Sequence, residues 1–454
     1  MNNKLNPFSV ILLAAGKGKR MHSALPKVMH PVAGQPMIKR VIQSYKILAP
    51  KEIRVVLGHG KDLIAPLVEQ LGAQVFIQDK QLGTGHAVMC AQPSNLDGTI
   101  VIANGDHPAI DSAELSKLIS EHQNSDRDLT VVSCLLKKPA QYGRIVRQSG
   151  RLKAIVEAKD ASKETLKINE INTGIYIIQA ELLSELIKDL SQSNAQGEYY
   201  LTEIVEKALK AGKIVDAKVG SSTLAMGVNS QLELAKVTKF LFNKKAKDLL
   251  EAGVIILDPL RVYIETTAQV AEGAVIYPDV FIKGESKIGS RCVIGPNSWI
   301  QDSRLAEDVV VKAGSYIEDS EISSGTSVGP YAHLRPKSKI GKNCKIGNFV
   351  ETKNVNLADG VKASHLTYLG DADIGAETNI GCGTITCNYA ADHNKYRTEI
   401  GANVFVGSDT QFVAPVKIGD NAVIGSGSTI TKNVPANALA VARGKQFIKE
   451  DYRK

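Results

Sequence analysis

From residue 264 onward an aliphatic side chain returns at every sixth position, and this period constrains the fold more than any other feature of the chain. The first positions keep strict phase: Ile264, Val270, Ile276, Ile282, Ile288, Ile294 and Ile300. A period of six fits neither the helical repeat of about 3.6 residues nor the two-residue alternation of a single strand. It is typical of a parallel β-helix, in which each short strand points one aliphatic residue inward and Gly, Asn, Asp or Ser turns the corner.

The six-residue period is interrupted along its length. It slips by one residue at Leu305 and again at Ile322, and it resumes each time. Two longer breaks occupy residues 347–373 and 381–399. Insertions on a repeat scaffold usually loop out on one face and carry the binding site. We therefore expect these two segments to loop out and to hold a functional site.

The bulk composition excludes several classes of protein. A chain of 454 residues is long enough for two or three domains. Its net charge of +8 favours anionic ligands in general, but the chain lacks the clustered basic and aromatic residues of a nucleic-acid binder. The six cysteines show neither paired nor disulfide-framework spacing, which predicts a cytoplasmic location. The apolar run at residues 8–15 is too short to span a membrane and predicts a buried strand.

The part of the chain before the repeats alternates short aliphatic runs with amphipathic segments. Runs at residues 10–15, 53–57, 99–103 and 129–133 predict buried strands of a mostly parallel α/β sheet, whose ligands sit at the carboxyl ends of the strands. Residues 230–253 predict one long helix, with Ser230 as N-cap, Glu233 in capping-box position and Gly253 as C-cap. We expect domains at 1–229 and 254–434, this linker helix between them, and a C-terminal tail at 435–454.

A glycine-rich loop follows the first predicted strand. Residues 16–21 read Gly-Lys-Gly-Lys-Arg-Met, and Lys27 follows a proline shortly after. Backbone N–H groups of such a loop can approach a triphosphate closely, while Lys17, Arg20 and Lys27 supply positive charge. The spacing is neither that of the Walker A loop nor that of a dinucleotide fingerprint. Asp106 follows the strand predicted at residues 99–103, where a carboxylate is well placed to hold Mg²⁺, although it could instead be a turn residue.

This set of motifs resembles that of the sugar-1-phosphate nucleotidyltransferases. The segment Gln-Leu-Gly-Thr-Gly-His-Ala at residues 81–87 is similar to the uridine-recognising segment of that family. The resemblance implies that Mg²⁺ is held by Asp106 and Asn229 and that Lys27 offsets the charge that builds up at transfer. It implies a UTP and nucleotide-sugar site formed by Leu13, Ala14, Ala15, Gly16, Lys27, Gln78, Gly83, Thr84, Asn104, Asp106, Gly143, Glu157, Asn172 and Asn229. Asn104 and His107 depart from the Tyr and Val that we expect beside Asp106.

The C-terminal repeats carry residues suited to acyl transfer. Acetylating an amine with a thioester requires a base for the ammonium proton, a donor for the oxyanion and cations for a sugar phosphate. His365 is the natural base because histidine ordinarily titrates near neutrality, although it could instead pack between coils. Arg335, Lys353 and Lys395 could bind the phosphate, or they could be solvated surface residues.

The two halves together resemble the bacterial bifunctional family of N-acetylglucosamine-1-phosphate uridylyltransferase and glucosamine-1-phosphate acetyltransferase. The implied fold is an α/β nucleotidyltransferase domain with a Rossmann-like mixed sheet, joined by a long helix to a left-handed parallel β-helix of hexapeptide repeats. The implied substrates are glucosamine-1-phosphate, acetyl-coenzyme A, N-acetylglucosamine-1-phosphate and UTP, and the product is UDP-N-acetylglucosamine. The family also implies a homotrimer, with acetyl-transfer sites built between solenoids.

The same resemblance assigns the remaining acetyltransferase residues. Tyr368 and Asn379 orient the sugar, Asn388 supports the base, and Tyr389 stabilises the oxyanion. The acetyl-coenzyme A site comprises Cys382, Asn388, Tyr389, Ser408, Ser426 and Arg443. Cys382 and Ser426 stand where the family often has Ala. No partner histidine supports a covalent acyl-enzyme at either Cys382 or Cys387, so we expect direct attack.

Three rival hypotheses fit the sequence less well. In the first, the protein is only a sugar-1-phosphate nucleotidyltransferase and its β-helix merely assembles subunits, but assembly does not require His365, Asn388, Tyr389 and Lys395. In the second, the protein is a non-catalytic regulatory subunit or scaffold, which would not need the charged phosphate loop. The third, a nucleic-acid binder, is disfavoured by the composition.

Overall fold

Two units with separate cores make up the chain, and they divide between Lys239 and Phe240. The computed structural model describes residues 5–453. No helix in that range is long and apolar enough to cross a membrane. The predicted combination of a mixed-sheet α/β unit, a long helix and a left-handed parallel β-helix is confirmed.

A mixed sheet forms the centre of the N-terminal unit. Its strands are β1 (Phe8–Ala14), β2 (Ile53–Leu57), β3 (Gln74–Ile77), β4 (Thr99–Asn104), β5 (Leu129–Leu135), β6 (Arg144–Gln148), β7 (Arg151–Val156), β8 (Glu170–Gln179) and β9 (Val215–Val219). They run in the order β9-β5-β8-β4-β1-β2-β3, and β6 and β7 form a hairpin that joins the sheet through β8. Two-residue strands at Pro31–Val32 and Gln35–Pro36 form a separate small hairpin.

Six helices cover the sheet, and a seventh continues into the second unit. They are α1 (Met37–Lys46), α2 (Lys61–Gln70), α3 (Thr84–Cys90), α4 (Ser112–Gln123), α5 (Ala180–Leu186), α6 (Glu203–Lys210) and α7 (Gln231–Glu251). The amphipathic pattern of α1 shows how they pack, because Met37, Ile38, Val41, Ile42 and Tyr45 are all buried.

The four predicted strands are present as β1, β2, β4 and β5, but the sheet is less parallel than their pattern suggests. Strands β4, β1, β2 and β3 are parallel, so their carboxyl ends lie at one edge. Strand β8 is antiparallel to both β4 and β5. The expectation of a mostly parallel sheet is therefore corrected by this central strand and by the β6–β7 hairpin.

Helix α7 occupies the segment predicted as a long helix. Ser230 Oγ accepts a hydrogen bond from Glu233 N at 3.3 Å, as an N-cap does. The Glu233 carboxylate accepts from the backbone N–H of Asn229 at 2.7 Å instead of from Ser230, so the capping box is shifted by one residue. At the other end Gly253 has φ +86°, and Val254 N donates to Leu249 O, which is a Schellman C-cap.

The C-terminal unit is a solenoid with three strands per coil, because each strand pairs in parallel with the third strand after it. Two strands of 13 residues, Lys345–Leu357 and Lys362–Ile374, pair along their length. The short strands are Ile255–Ile256, Val262–Ile264, Gln269–Val270, Val275–Ile276, Val280–Lys283, Lys287–Ile288, Val293–Ile294, Trp299–Gln301, Arg304–Leu305, Val310–Val311, Tyr316–Glu318, Ser320–Ile322, Ser327–Val328, His333–Leu334, Ser338–Ile340, Asn379–Ile380, Ile385–Cys387, Thr398–Ile400, Phe405–Val406, Gln411–Val413, Val416–Ile418, Val423–Ile424, Thr429–Ile430 and Leu439–Ala440.

The six-residue positions form the core of this solenoid. Ile282, Ile300 and Ile317 are fully buried and stacked in register. The phase slip at Leu305 shortens a coil by one residue, because Ile288 pairs with Leu305 across 17 residues, whereas Ile282 pairs with Ile300 across 18. A one-residue slip is therefore absorbed at a corner and does not disturb the core.

Only one of the two long breaks in the period is a loop. Residues 388–397 do leave the coil, since Ile374 pairs with Ile400 across 26 residues. The expectation that residues 347–373 loop out is wrong, because they belong to two regular coils. Small inward residues such as Thr352 and Ala363 hide the period there. The solenoid also extends beyond residue 435, since Leu439–Ala440 pairs with Val423–Ile424.

Aromatic rings stack along one outer face of the first coils. Tyr263 lies 4.5 Å from Phe281 between ring centroids, Phe281 lies 5.1 Å from Trp299, and Trp299 lies 5.5 Å from Tyr316. Each ring occupies the same position in its coil, as the strand register shows. We refer to these four residues as the aromatic ladder.

Candidate active sites

The glycine-rich loop lies at the carboxyl end of β1 and packs against Lys27. The predicted residues Leu13, Ala14, Ala15 and Gly16 form the end of that strand and the start of the loop. Gly18 has φ +59°, and a Cβ at this position would lie 2.8 Å from Lys27 Cβ. Glycine is therefore required at residue 18 both for the backbone conformation and for the approach of the loop to Lys27.

The ammonium group of Lys27 joins the two residues predicted to bind metal. It forms an ion pair with Asp106 Oδ2 and donates to Asn229 Oδ1 at 3.2 Å. Burial alone would raise the pKa of Asp106, but the charges of Lys27 and His107 and the hydrogen bond from Lys27 outweigh burial and leave that pKa below its ordinary value. Asp106 is therefore a carboxylate at neutral pH.

Three elements hold this arrangement in place. Gly105 N donates to Leu13 O at 2.9 Å, which ties the end of β4 to the end of β1. Val228 N donates to Asp106 O at 3.0 Å, and Asn229 N donates to Glu233 in the first turn of α7. The helix cap thus fixes the backbone of one predicted metal ligand.

The oxygen atoms at this position suit a magnesium ion. Asp106 Oδ1 is buried and accepts no hydrogen bond from residues 5–453, although His107 Nε2 lies 3.5 Å away. A carboxylate and an amide oxygen are ligands that Mg²⁺ prefers. No group of three or more His, Cys, Asp or Glu side chains in the described chain could hold a metal alone. Magnesium at this position would depend on substrate phosphates and water for its other ligands.

A cavity of 180 Å³ lies beside Asp106 at the same sheet edge. It gathers six of the residues predicted to bind the nucleotide sugar, namely Leu13, Thr84, Asn104, Gly143, Glu157 and Asn172. Burial raises the pKa of Glu157, partly offset by a hydrogen bond with Thr202. Thr84 Oγ1 accepts from Leu201 N at 3.0 Å, and Asn172 Nδ2 donates to the Tyr176 hydroxyl at 2.7 Å.

The two residues that depart from the family pattern both line this cavity. Gly174 has φ +81°, and a Cβ there would lie 2.3 Å from Asn104 Nδ2, so this glycine makes room for the Asn104 side chain. His107 is buried, and its Nδ1 lies 3.1 Å from Leu224 O. Both side chains therefore have room beside Asp106.

The predicted uridine-recognising segment connects β3 to α3. The Gln78 side chain is buried, and its Nε2 donates to Gly83 O at 3.0 Å. The same Nε2 lies 2.9 Å from His86 Nδ1. Gln81 Nε2 donates to Gln78 O at 3.2 Å and lies close to Gly58, at the end of β2. The segment therefore lies at the edge of the sheet that carries the phosphate loop.

In the solenoid, four predicted acetyltransferase residues form one column. Successive coils have a core residue in register, and the residue two positions after it belongs to the column. These residues are, in order, His365, Cys382, Ser408 and Ser426. Backbone hydrogen bonds follow the column, because Asp409 N donates to Cys382 O and Gly427 N donates to Ser408 O. The Arg443 guanidinium donates to Ser426 O at the end of the column. We refer to these four stacked residues as the histidine column.

The column also shows a residue that the sequence analysis missed. Asn348 lies directly before His365 in the register, and its Oδ1 is 2.8 Å from His365 Nδ1. Because an amide oxygen can only accept, His365 carries its proton on Nδ1 and leaves Nε2 free as a base. His365 is exposed, so the alternative of a histidine packed between coils is wrong.

The three predicted phosphate-binding cations lie near one another. The pKa of Lys353 is lowered, first by the charge of Lys395 and then by that of Arg335. Arg335 also donates to Glu351 Oε1 at 2.8 Å, and Glu351 is in register with Tyr368. Three converging positive charges repel one another, and an anion placed among them would relieve that repulsion.

Other predicted residues have partners apart from the histidine column. Asn388 is buried and its amide donates to Asp371 Oδ2, while the exposed Tyr389 has its hydroxyl 2.9 Å from His393 Nδ1. Asn379 lies in the strand after the His365 coil, in register with Phe405. Within residues 5–453 no hydrogen bond joins His365 to Asn388 or Tyr389.

Comparison with known proteins covers both units. A family described as a MobA-like NTP transferase domain matches residues 10–165, a GMPPB C-terminal domain matches 260–338, and a bacterial transferase hexapeptide family of six repeats matches 397–432. A relative in Bdellovibrio bacteriovorus, named bifunctional protein GlmU, is 54% identical over 98% of this chain and 97% of its own. A protein of the same name in Geotalea uraniireducens is 42% identical over 99% of this chain and 99% of its own. Another, in Carboxydothermus hydrogenoformans, is 43% identical over 98% of this chain and 99% of its own.

Proposed function

Because this chain belongs to the family of bifunctional GlmU proteins, we propose which of its residues carry each of the two reactions. The enzyme acetylates glucosamine-1-phosphate with acetyl-coenzyme A and then transfers a uridylyl group from UTP to the N-acetylated sugar phosphate. The products are UDP-N-acetylglucosamine and pyrophosphate. The observation that best supports our residue assignment is the contact of Lys27 with both Asp106 and Asn229.

In uridylyl transfer, a phosphate oxygen of N-acetylglucosamine-1-phosphate attacks the α-phosphorus of UTP, and pyrophosphate leaves. Residues 16–18 and Lys27 bind and orient the triphosphate, and Lys27 offsets the negative charge that develops at transfer. The cavity beside Asp106 takes the sugar through Asn104, Glu157 and Asn172. Asp106 and Asn229 would hold Mg²⁺, which would supply positive charge to neutralise the phosphates.

In acetyl transfer, the sugar amine attacks the thioester carbonyl carbon, the carbon–sulfur bond breaks, and coenzyme A leaves as its thiol after the departing sulfur takes up a proton from the His365 imidazolium. His365 Nε2 takes the proton that the amine loses, while Asn348 holds the ring through Nδ1. Arg335, Lys353 and Lys395 bind the phosphate of the sugar. Cys382, Ser408 and Ser426 line the path of acetyl-coenzyme A, and Tyr389 donates to the oxyanion.

The complete acetyltransferase site is formed between the solenoids of a homotrimer. In one chain His365 is exposed and has no hydrogen bond, within the described residues, to Asn388 or Tyr389. The free state of all six cysteines and the use of UTP and acetyl-coenzyme A support a cytoplasmic location.

Two substitutions test the residue assignment, with each activity serving as the control for the other. Asp106→Asn should greatly slow UDP-N-acetylglucosamine formation from UTP and N-acetylglucosamine-1-phosphate at the Mg²⁺ concentration that saturates the wild-type enzyme, while acetyl transfer to glucosamine-1-phosphate continues. His365→Ala should have the reverse effect. Chromatography of the nucleotide sugar and a colorimetric assay of free coenzyme A thiol measure the two reactions separately. Loss of both activities in either variant, or of neither, contradicts the assignment.

A further inference from the structure

The side-chain amide of Gln78 is held in one orientation. Its Nε2 faces both Gly83 O, at 3.0 Å, and His86 Nδ1, at 2.9 Å. A backbone carbonyl can only accept a hydrogen bond, so the atom that faces Gly83 must be the amide NH₂ group. His86 Nδ1 faces the same NH₂ group and must therefore be an acceptor, with the ring proton on Nε2. Two acceptors thus fix which end of the amide points away.

The atom that points away is the carbonyl oxygen of Gln78. Within residues 5–453 this Oε1 accepts no hydrogen bond. Uracil presents an N3–H donor on its pairing edge, whereas cytosine presents an unprotonated N3 acceptor. An amide that is locked with its oxygen outward can accept a hydrogen bond from the N3–H of uracil. With cytosine, the amide oxygen and N3 would be two acceptors facing each other. An amide that was free to rotate could satisfy either base.

We propose that His86 is a positioning residue that makes the uridylyltransferase select UTP over CTP by locking the amide of Gln78. This inference rests on the proposed function, which assigns Gln78 to the nucleotide. His86 belongs to helix α3, and its ring makes two further contacts. It stacks on Tyr199 with centroids 6.3 Å apart and an interplanar angle of 27°, and its Nε2 lies 3.9 Å from Cys90 Sγ.

His86→Phe is the variant that tests this role. It keeps an aromatic ring against Tyr199 and removes the acceptor, and a cavity of 670 Å³ beside the ring gives space for the change. The ratio of kcat/KM for UTP to kcat/KM for CTP should fall by about tenfold, as expected for the loss of one hydrogen bond that orients the amide. Because both values come from one preparation, the ratio does not depend on how much of the protein is active.

Two matched variants show whether His86 acts through Gln78. Met89→Leu changes another residue that lines the same cavity and should leave the ratio unchanged. Gln78→Ala should lower the ratio by itself, and adding His86→Phe to it should have no further effect. If His86→Phe does not fold, His86→Leu removes the same acceptor and should give the same ratio.

The outcomes separate this inference from the proposed function. The inference is overturned if the wild-type protein prefers UTP and His86→Phe changes the UTP-to-CTP ratio of kcat/KM by less than about twofold. That result leaves the proposed function intact. A further fall of the ratio when His86→Phe is added to Gln78→Ala also overturns it, because His86 would then act by another route. A wild-type protein that makes no nucleotide sugar from UTP contradicts the proposed function, and the inference fails with it.

Discussion

The contact between Asn348 and His365 gives a sharp prediction for acetyl transfer. We expect Asn348→Ala to lower kcat for acetylation of glucosamine-1-phosphate by about twofold to about thirtyfold. The hydrogen bond from His365 Nδ1 to Asn348 Oδ1 is 2.8 Å long and is exposed to solvent. In the resting enzyme water can replace the amide oxygen, so the ground-state effect is about 1 kcal/mol or less.

The free-energy effect of Asn348→Ala should be larger in the transition state than in the ground state, because His365 becomes a cation as it takes the proton. Hydrogen bonds to charged groups contribute about 1.5–3 kcal/mol, and about 1.4 kcal/mol corresponds to a tenfold change in rate. Release of coenzyme A thiol measures kcat, and uridylyl transfer in the same preparation reports on folding of the other unit. Asn348→Asp keeps an acceptor and should retain most of the activity.

The reasoning on Asn348 would be refuted by either of two results. One is an Asn348→Ala enzyme that keeps more than about half of the wild-type kcat. The other is a full additional loss when Asn348→Ala is added to His365→Ala, because a residue that acts only through His365 has nothing to orient once the imidazole is gone.

Three further predictions follow from other parts of the molecule. Removing divalent metal with a chelator should stop uridylyl transfer and spare acetyl transfer. Asp106→Asn should raise the Mg²⁺ concentration needed for the half-maximal rate of uridylyl transfer by about tenfold or more, measured by titration with Mg²⁺. Lys353→Ala should raise KM for glucosamine-1-phosphate by about tenfold with little change in kcat, because it removes one of three cations that repel one another until a phosphate binds; an unchanged KM would remove the phosphate assignment. Ile300→Ala should destabilise the solenoid by about 2–5 kcal/mol and Ile300→Val by about 0.5–1.5 kcal/mol, because this side chain is fully buried; urea unfolding followed by tryptophan fluorescence measures both, and equal effects would contradict the packing argument.

The solenoid was largely predictable because its core repeats with a period that only one architecture satisfies. The histidine column was predictable in part. Asn348 precedes His365 by 17 residues, which is the length of the coil between Leu305 and Ile322, so coil spacing could have identified it. The false loop at residues 347–373 arose because small residues such as Ala363 fill inward positions, and small residues carry little periodic signal.

The sheet of the N-terminal unit was harder to predict for a different reason. Its parallel strands are marked by local aliphatic runs, but the antiparallel strand β8 pairs with β4 and β5, which precede it by many residues. Strand direction depends on connections between distant segments and has no local pattern. The contact of Lys27 with both Asp106 and Asn229 depends in the same way on bringing three distant segments to one sheet edge.

The aromatic ladder has a practical consequence, because Trp299 within it is the only tryptophan of the chain. Its ring lies between Phe281 and Tyr316, with Lys283 Nζ 4.4 Å from the ring centroid. Tryptophan emission therefore reports on the solenoid alone, whereas the α-helical signal in far-ultraviolet circular dichroism comes mainly from the N-terminal unit. A comparison of the two signals during heating would reveal which unit unfolds first, without any label or truncation.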